Sequence, residues 1–242
     1  MKNFFKYIFA TTAIVLLGAC GGGGGGGGGT TGNSNPAPVV STSSFNLLAA
    51  YASTFANSQV DKFIVSGTVN SVGVTGSGTK TIGNTSSGTF EGQSALQRTV
   101  TVTGSLISNG ISIPLSDSVV NWVTTNYLPL GQVSDEYEVV TGTAVLPTSV
   151  RVGDTGPIYT SKRYSDSSKS NLLGSEVATY VVEADTASTV LVTLIFVTKD
   201  TANKTTQQST EQYRINTTNV AKLIKSTLLD YTNKGNITIS YQ

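Results

Sequence analysis

Apolar and polar residues alternate along most of this chain. The clearest run is Thr99-Val100-Thr101-Val102-Thr103, where every second residue is apolar. That period places both valines on one face of a strand and the threonines on the other. The same reading covers Phe63 to Val69, Val72 to Val74, Ile111 to Ile113, Val119 to Val123 and Tyr137 to Val140, with Ser108-Asn109-Gly110 as a turn. Gly-Thr pairs recur at Gly67, Gly78 and Gly88, spacings of eleven and ten residues that fit the strand-plus-turn unit of a meander. The recurrence then lapses, which argues against a solenoid.

Further along, Glu176 to Glu183 predicts a strand, Ala184 to Ala187 a turn, and Val190 to Val197 a mostly apolar strand covered on both faces. Gln212 to Ile215 continues the meander, and Ile237 to Tyr241 closes it with a half-buried strand. Two stretches depart from the two-residue period. Ser44 is placed to cap a short helix running to about Asn57, with Phe45, Leu48, Ala49, Ala52 and Phe55 near one stripe. Residues Asn219 to Tyr231 also read as a helix, with a strand as the alternative. Val220, Leu223, Ile224 and Leu228 suit a helix face, and Asn233-Lys234-Gly235 suits its end.

The first residues follow another logic. Lys2 and Lys6 precede the apolar run Tyr7 to Leu17, as in a secretory signal, and small residues follow. The run is short of the roughly 20 apolar residues of a membrane span. Leu17-Gly18-Ala19-Cys20 resembles the lipobox of bacterial lipoproteins. The resemblance covers residues 1–20 and implies cleavage between Ala19 and Cys20, with the Cys20 thiol diacylated. Two acyl chains suffice for stable anchoring without a spanning helix. Cys20 is the only cysteine, so its lipidation leaves the mature chain without disulfides. In that family Asp after the cysteine favours inner-membrane retention. Gly21 stands there instead, which implies the outer membrane.

Residues 20–43 read as the lipidated cysteine and a tether, nine consecutive glycines followed by a Ser/Thr/Asn/Pro-rich stretch, with a mean reach of about 25 Å. The glycine run matches a dinucleotide-binding fingerprint only trivially, because no strand precedes it and no helix follows. Polyglycine after a lipidated cysteine also resembles surface lipoproteins of some Gram-negative pathogens. Residues 44–242 fit one domain.

Charge adds an exclusion. Without Lys2 and Lys6 the 15 basic residues become 13 against 14 acidic ones, so nothing favours nucleic acid. Charged residues make up 12% of the chain, about half the usual share.

Chemistry is sparse. The chain has no histidine, which removes serine and cysteine triads and the usual zinc sites. Asp154-Thr155-Gly156 matches the aspartic-protease signature, but it occurs once and lies between Gly153 and Pro157, the composition of a turn. Asp135, Glu136 and Glu138 form the densest acidic group and lack the calcium-loop pattern, so a solvated turn before a strand is expected. Glu91, Glu138, Glu176 and Glu183 are available for a glycosidase-like carboxylate pair, which sequence alone does not assemble. Arg163 and Tyr164, in a polar loop from Lys162 to Asp166, and Trp122 are candidate contributors to a ligand surface. No catalytic residue, metal ligand or cofactor site is assigned.

These features predict a mainly β protein: one antiparallel domain, a sandwich or a curved half-barrel meander, with a short N-terminal helix. In element order and composition it resembles the half-barrel fold of bacterial lipoprotein carriers, a resemblance that carries no site residue. The functional expectation is a lipid-anchored envelope module that binds a partner or serves structurally. Its alternatives are a carrier of an apolar ligand and, more remotely, a carboxylate-dependent hydrolase. Its expected partners are the membrane, through Cys20, and a protein or apolar ligand.

Overall fold

Strict alternation over many strands, with short turns between them, lets consecutive strands pair in sequence order. The computed structural model of the protein, which describes residues 41–242, shows this. Ala19, Cys20 and the tether through residue 40 lie outside the described residues. The strands are β1 (Gln59–Val69), β2 (Val72–Ile82), β3 (Ser86–Phe90), β4 (Gln93–Ser108), β5 (Ile111–Val123), β6 (Pro129–Val133) and β7 (Tyr137–Thr141). They continue as β8 (Thr155–Tyr164), β9 (Leu172–Ala184), β10 (Thr189–Asp200), β11 (Thr205–Asn216), β12 (Ala221–Asp230) and β13 (Gly235–Tyr241). A helix, α1 (Leu47–Ser53), precedes them.

The domain is mainly β and antiparallel, as the alternation predicts, and its sheet closes completely. First and last strands pair, Phe63 opposite Tyr241 through Thr68 opposite Asn236. Both β2 and β3 pair with the same edge of the long β4, so β3 extends the line of β2 and twelve strands form the ring. Neither a sandwich nor a half-barrel results, because the β1–β13 pairing leaves no free edge between them.

The stretch read as a helix at 219–231 is strand β12, hydrogen-bonded to β11 and β13. Its inward residues are Leu223, Ser226, Leu228 and Asp230. A register shift opposite Gln212/Tyr213 turns one two-residue step into three, and that spacing imitates a helix face. The true helix is shorter than the Ser44–Asn57 expectation. Asn46 caps it, its side chain accepting from the Ala49 amide at 2.9 Å, while the Ser44 hydroxyl meets that of Ser149.

A twelve-strand ring is wider than the eight-strand barrels whose own side chains just fill the interior. Two apolar clusters share the extra space. One joins Phe63, Val65, Val102, Leu106, Ile237 and Ile239 at the β1–β13 side. The other packs α1 into one mouth, with Leu47 and Ala50 against inward residues of β9, β10 and β11 such as Ala178, Val190 and Ile215. The Phe45–Val150 bridge, the Asn46 amide on the Asn219 side chain and the Ala221 amide on the Ser53 hydroxyl tie the helix to the rim.

Candidate functional site

Opposed residues of antiparallel strands point to the same face. Arg98 lies opposite Asn121, Asn121 opposite Gln132, and Gln132 opposite Glu138. On the next strands Ser161 lies opposite Glu176, Glu176 opposite Thr198, Thr198 opposite Gln207, and Gln207 opposite Asp230. Register alone therefore assembles a polar belt inside the barrel between the two apolar clusters.

Its acids are engaged by neutral donors. Glu138 accepts from the Ser161 hydroxyl at 2.5 Å and from the Gln132 amide at 2.7 Å. Glu176, fully buried, accepts from the Tyr159 phenol at 3.0 Å and more loosely from Thr198. Burial raises the Glu138 carboxyl above its ordinary range, its hydrogen bonds offsetting part of the rise. Burial, followed by the neighbouring Glu138, raises Glu176 well above it. Such a pair favours the protonated form on at least one carboxyl.

A second group lies beside the belt. Lys80 reaches Glu211 at 3.7 Å and lies 5.4 Å from the Tyr241 ring centre. The Tyr213 phenol donates to Glu211 at 2.6 Å. The Arg98 guanidinium sits 3.8 Å from the Phe55 ring centre and donates to the Thr54 carbonyl. Asp61 accepts from the Gln59 amide at 2.6 Å through one oxygen, and its other oxygen has no partner. Tyr51, projecting from α1, has its phenol pushed up to about 12 by burial. The second group and, from the belt, Asn121, Gln132, Glu138 and Glu176 line one cavity of about 130 Å³ under the helix. An apolar space of about 30 Å³ lies between α1 and the wall near Leu194 and Ile215.

Of the acids named from sequence, Glu138 and Glu176 come together here and the others do not. Glu91 sits at the β3–β4 hairpin tip, bonded to the Tyr137 phenol at 2.6 Å and paired with Lys169. Glu183 stays on the outer wall with Thr193. Asp154 closes the expected turn, accepting from the Arg151 amide at 2.8 Å.

The Asp135–Glu138 group is not a solvated turn throughout. Glu136 pairs with Arg163 at 2.6 Å, and Glu138 points into the barrel because it follows the inward phase of β7. Lys162, Arg163 and Tyr164 belong to strand β8 rather than a loop, and Arg163 is buried. Trp122 stacks on Phe90 at 5.3 Å in an outer cluster that also takes in Tyr164, and Trp122 in addition borders the cavity. Among the described residues no group of three His, Cys, Asp or Glu is placed to hold a metal.

Asp61, Lys80, Arg98 and Glu211 were missed in the sequence, yet a signal exists. Each of the first three stands two positions before an inward apolar residue, Phe63, Ile82 and Val100 respectively. A charge in phase with the core positions marks a buried polar site.

No family model matches the chain, and neither a curated protein nor a solved structure matches it.

Proposed function

We propose that this is a lipid-anchored envelope protein, held through diacylated Cys20 at the outer membrane, whose barrel acts by contact or binding rather than catalysis. The observation that carries the reading is the placement of polarity in the wall. Outward positions of β2 and β4 include Thr75, Ser77, Thr79, Thr81, Thr99, Thr101, Thr103 and Ser105, with Ile107 the exposed apolar exception, while inward ones include Val74, Val100, Val102 and Leu106. A membrane-spanning barrel has the reverse arrangement, an apolar band outside and polar groups within. A wall of this kind suits water, and attachment then falls to Cys20.

The apolar-carrier reading has less support. Ligand pockets run to about 300–1,000 Å³, whereas the purely apolar space here is about 30 Å³ and the larger cavity, about 130 Å³, mixes apolar walls such as Ile82, Val100 and Phe196 with the charges of Asp61, Lys80, Arg98 and Glu211. The same volume leaves little room for a sugar and an attacking water between Glu138 and Glu176, which weighs against the hydrolase.

Replacing Cys20 by Ser tests the anchor. Incorporation of labelled fatty acid and fractionation with membranes should both be lost. Retention in the membrane fraction without the thiol would overturn the assignment. Protease treatment of intact cells then decides which side of the membrane the barrel faces.

A further inference from the structure

Most charged groups inside the barrel are satisfied within it, and two keep an unpaired atom. One oxygen of Asp61 and the Nε–H of Arg98 make no hydrogen bond, although Asp61 is 6% and Arg98 9% exposed. Both residues line the same cavity. Leaving a buried donor or acceptor unpaired is costly, more so when it belongs to a charged group, and such atoms in a folded protein call for an explanation. Here the two are of opposite sign, and the other two charges of this group, Lys80 and Glu211, are engaged with each other.

We propose that the cavity binds a small free zwitterion, an amino acid of glycine to serine size, with its ammonium on Asp61 and its carboxylate on Arg98. Glu138 and Glu176, which line the same cavity, are already engaged by Ser161, Gln132 and Tyr159. Of the remaining charges Asp61 and Glu211 match Lys80 and Arg98 in number, so a dipolar ligand, which brings one charge of each sign to the two unpaired atoms, fits better than a lone ion. Burial lowers the affinity of Arg98 for its proton, yet a guanidinium keeps its charge in a protein, and its fork geometry suits a carboxylate. The volume, about 130 Å³, is close to that of a cavity of about 150 Å³ known to hold a benzene-sized guest. That admits a small amino acid and is too small for tryptophan. Gln59, exposed at the start of β1, donates to Asp61 and marks the side from which the cavity is reached. The proposal is independent of Cys20 and of the membrane.

Titration calorimetry on the full chain in detergent tests it, with glycine, L-alanine and L-serine as probes. Acetate and methylammonium, each carrying one of the two charges, and L-tryptophan are the controls. Saturable binding of at least one small zwitterion is expected, with the single-charge and bulky controls at least about tenfold weaker. Asp61→Asn should weaken binding by at least about tenfold while leaving the thermal midpoint of the unliganded protein unchanged or raised, since it removes a buried charge with an unpaired oxygen. Arg98→Met should weaken it similarly. If that variant fails to fold, Asp61→Asn and the single-charge controls carry the test. The proposal is overturned if none of the three zwitterions binds, as expected of a cavity that holds only water. It is overturned equally if acetate or methylammonium binds as well as they do, or if Asp61→Asn binds undiminished.

Discussion

The barrel interior has two unlike regions made by the same strands. Beside the β1–β13 seam, Phe63, Val65, Ile237 and Ile239 pack with Val102 and Leu106 into a dry lobe. Farther along β1, β2 and β4 the same inward phase delivers Asp61, Lys80 and Arg98 to the cavity. Alternation decides which residues enter the barrel and says nothing about what kind of interior they make. The lobe supplies stability through area removed from water. The belt and cavity keep charges in a low-dielectric space, where unpaired polar atoms oppose folding.

The largest test of that contrast is Phe63→Ala. Truncating a buried phenylalanine should cost about 3–5 kcal/mol in denaturant unfolding. A loss no greater than that of a surface change would place the stability elsewhere.

Next comes Gly104→Ala. A methyl group there would lie 2.3 Å from the Ser77 carbonyl oxygen and 2.7 Å from the Gly78 Cα on the paired strand. Backbone on both sides leaves little room to yield, and a loss of about 1–3 kcal/mol is expected.

The belt predicts an effect of opposite sign. Glu176 faces Glu138, Arg163, Tyr159 and Thr198, and its carboxyl is raised well above the ordinary range, chiefly by burial. The folded chain therefore holds this proton more tightly than the unfolded chain does. Its contribution to stability is complete below the ordinary carboxylate range and is lost as pH rises through the raised value. Glu138 shares that sign. Thermal midpoints should fall from mildly acidic toward neutral and higher pH, and Glu176→Gln should flatten the fall and raise the midpoint at its upper end. A Glu176→Gln profile superimposable on wild type would remove the buried acid from the account.

The smallest effect belongs to the outer wall. Arg214 pairs with Asp185 at 2.7 Å and its side chain is half exposed. Arg214→Ala should cost no more than about 0.2–1 kcal/mol and lose its effect in high salt. A larger, salt-insensitive loss would mean that the wall carries more of the stability than the lobe comparison allows.

Much of this was legible from local pattern. Val100 and Val102 point inward and Thr99, Thr101 and Thr103 outward, as their alternation requires. Ile237 and Ile239 do the same in the final strand. The exception, β12, failed because its bulge shifts the inward phase from Leu223 to Ser226, a step set by its partner β11. Glu138 failed for a related reason. An acid beside Asp135 and Glu136 looks solvated until Gln132 and Ser161 arrive from neighbouring strands to bond it.

By itself the sequence determined the antiparallel meander, the short apolar helix ahead of it, and the segment ending at Cys20 that resembles a lipoprotein signal. Those follow from composition and from side-chain periods of two and 3.6, which are local. Only the tertiary structure decided that the sheet closes. Closure requires Phe63 to meet Tyr241 from the far end of the chain, a pairing selected by the accumulated twist and register of every strand between them. The cavity is a product of that closure. Asp61 and Arg98 become partners around one space only when the ring brings their strands about a common axis.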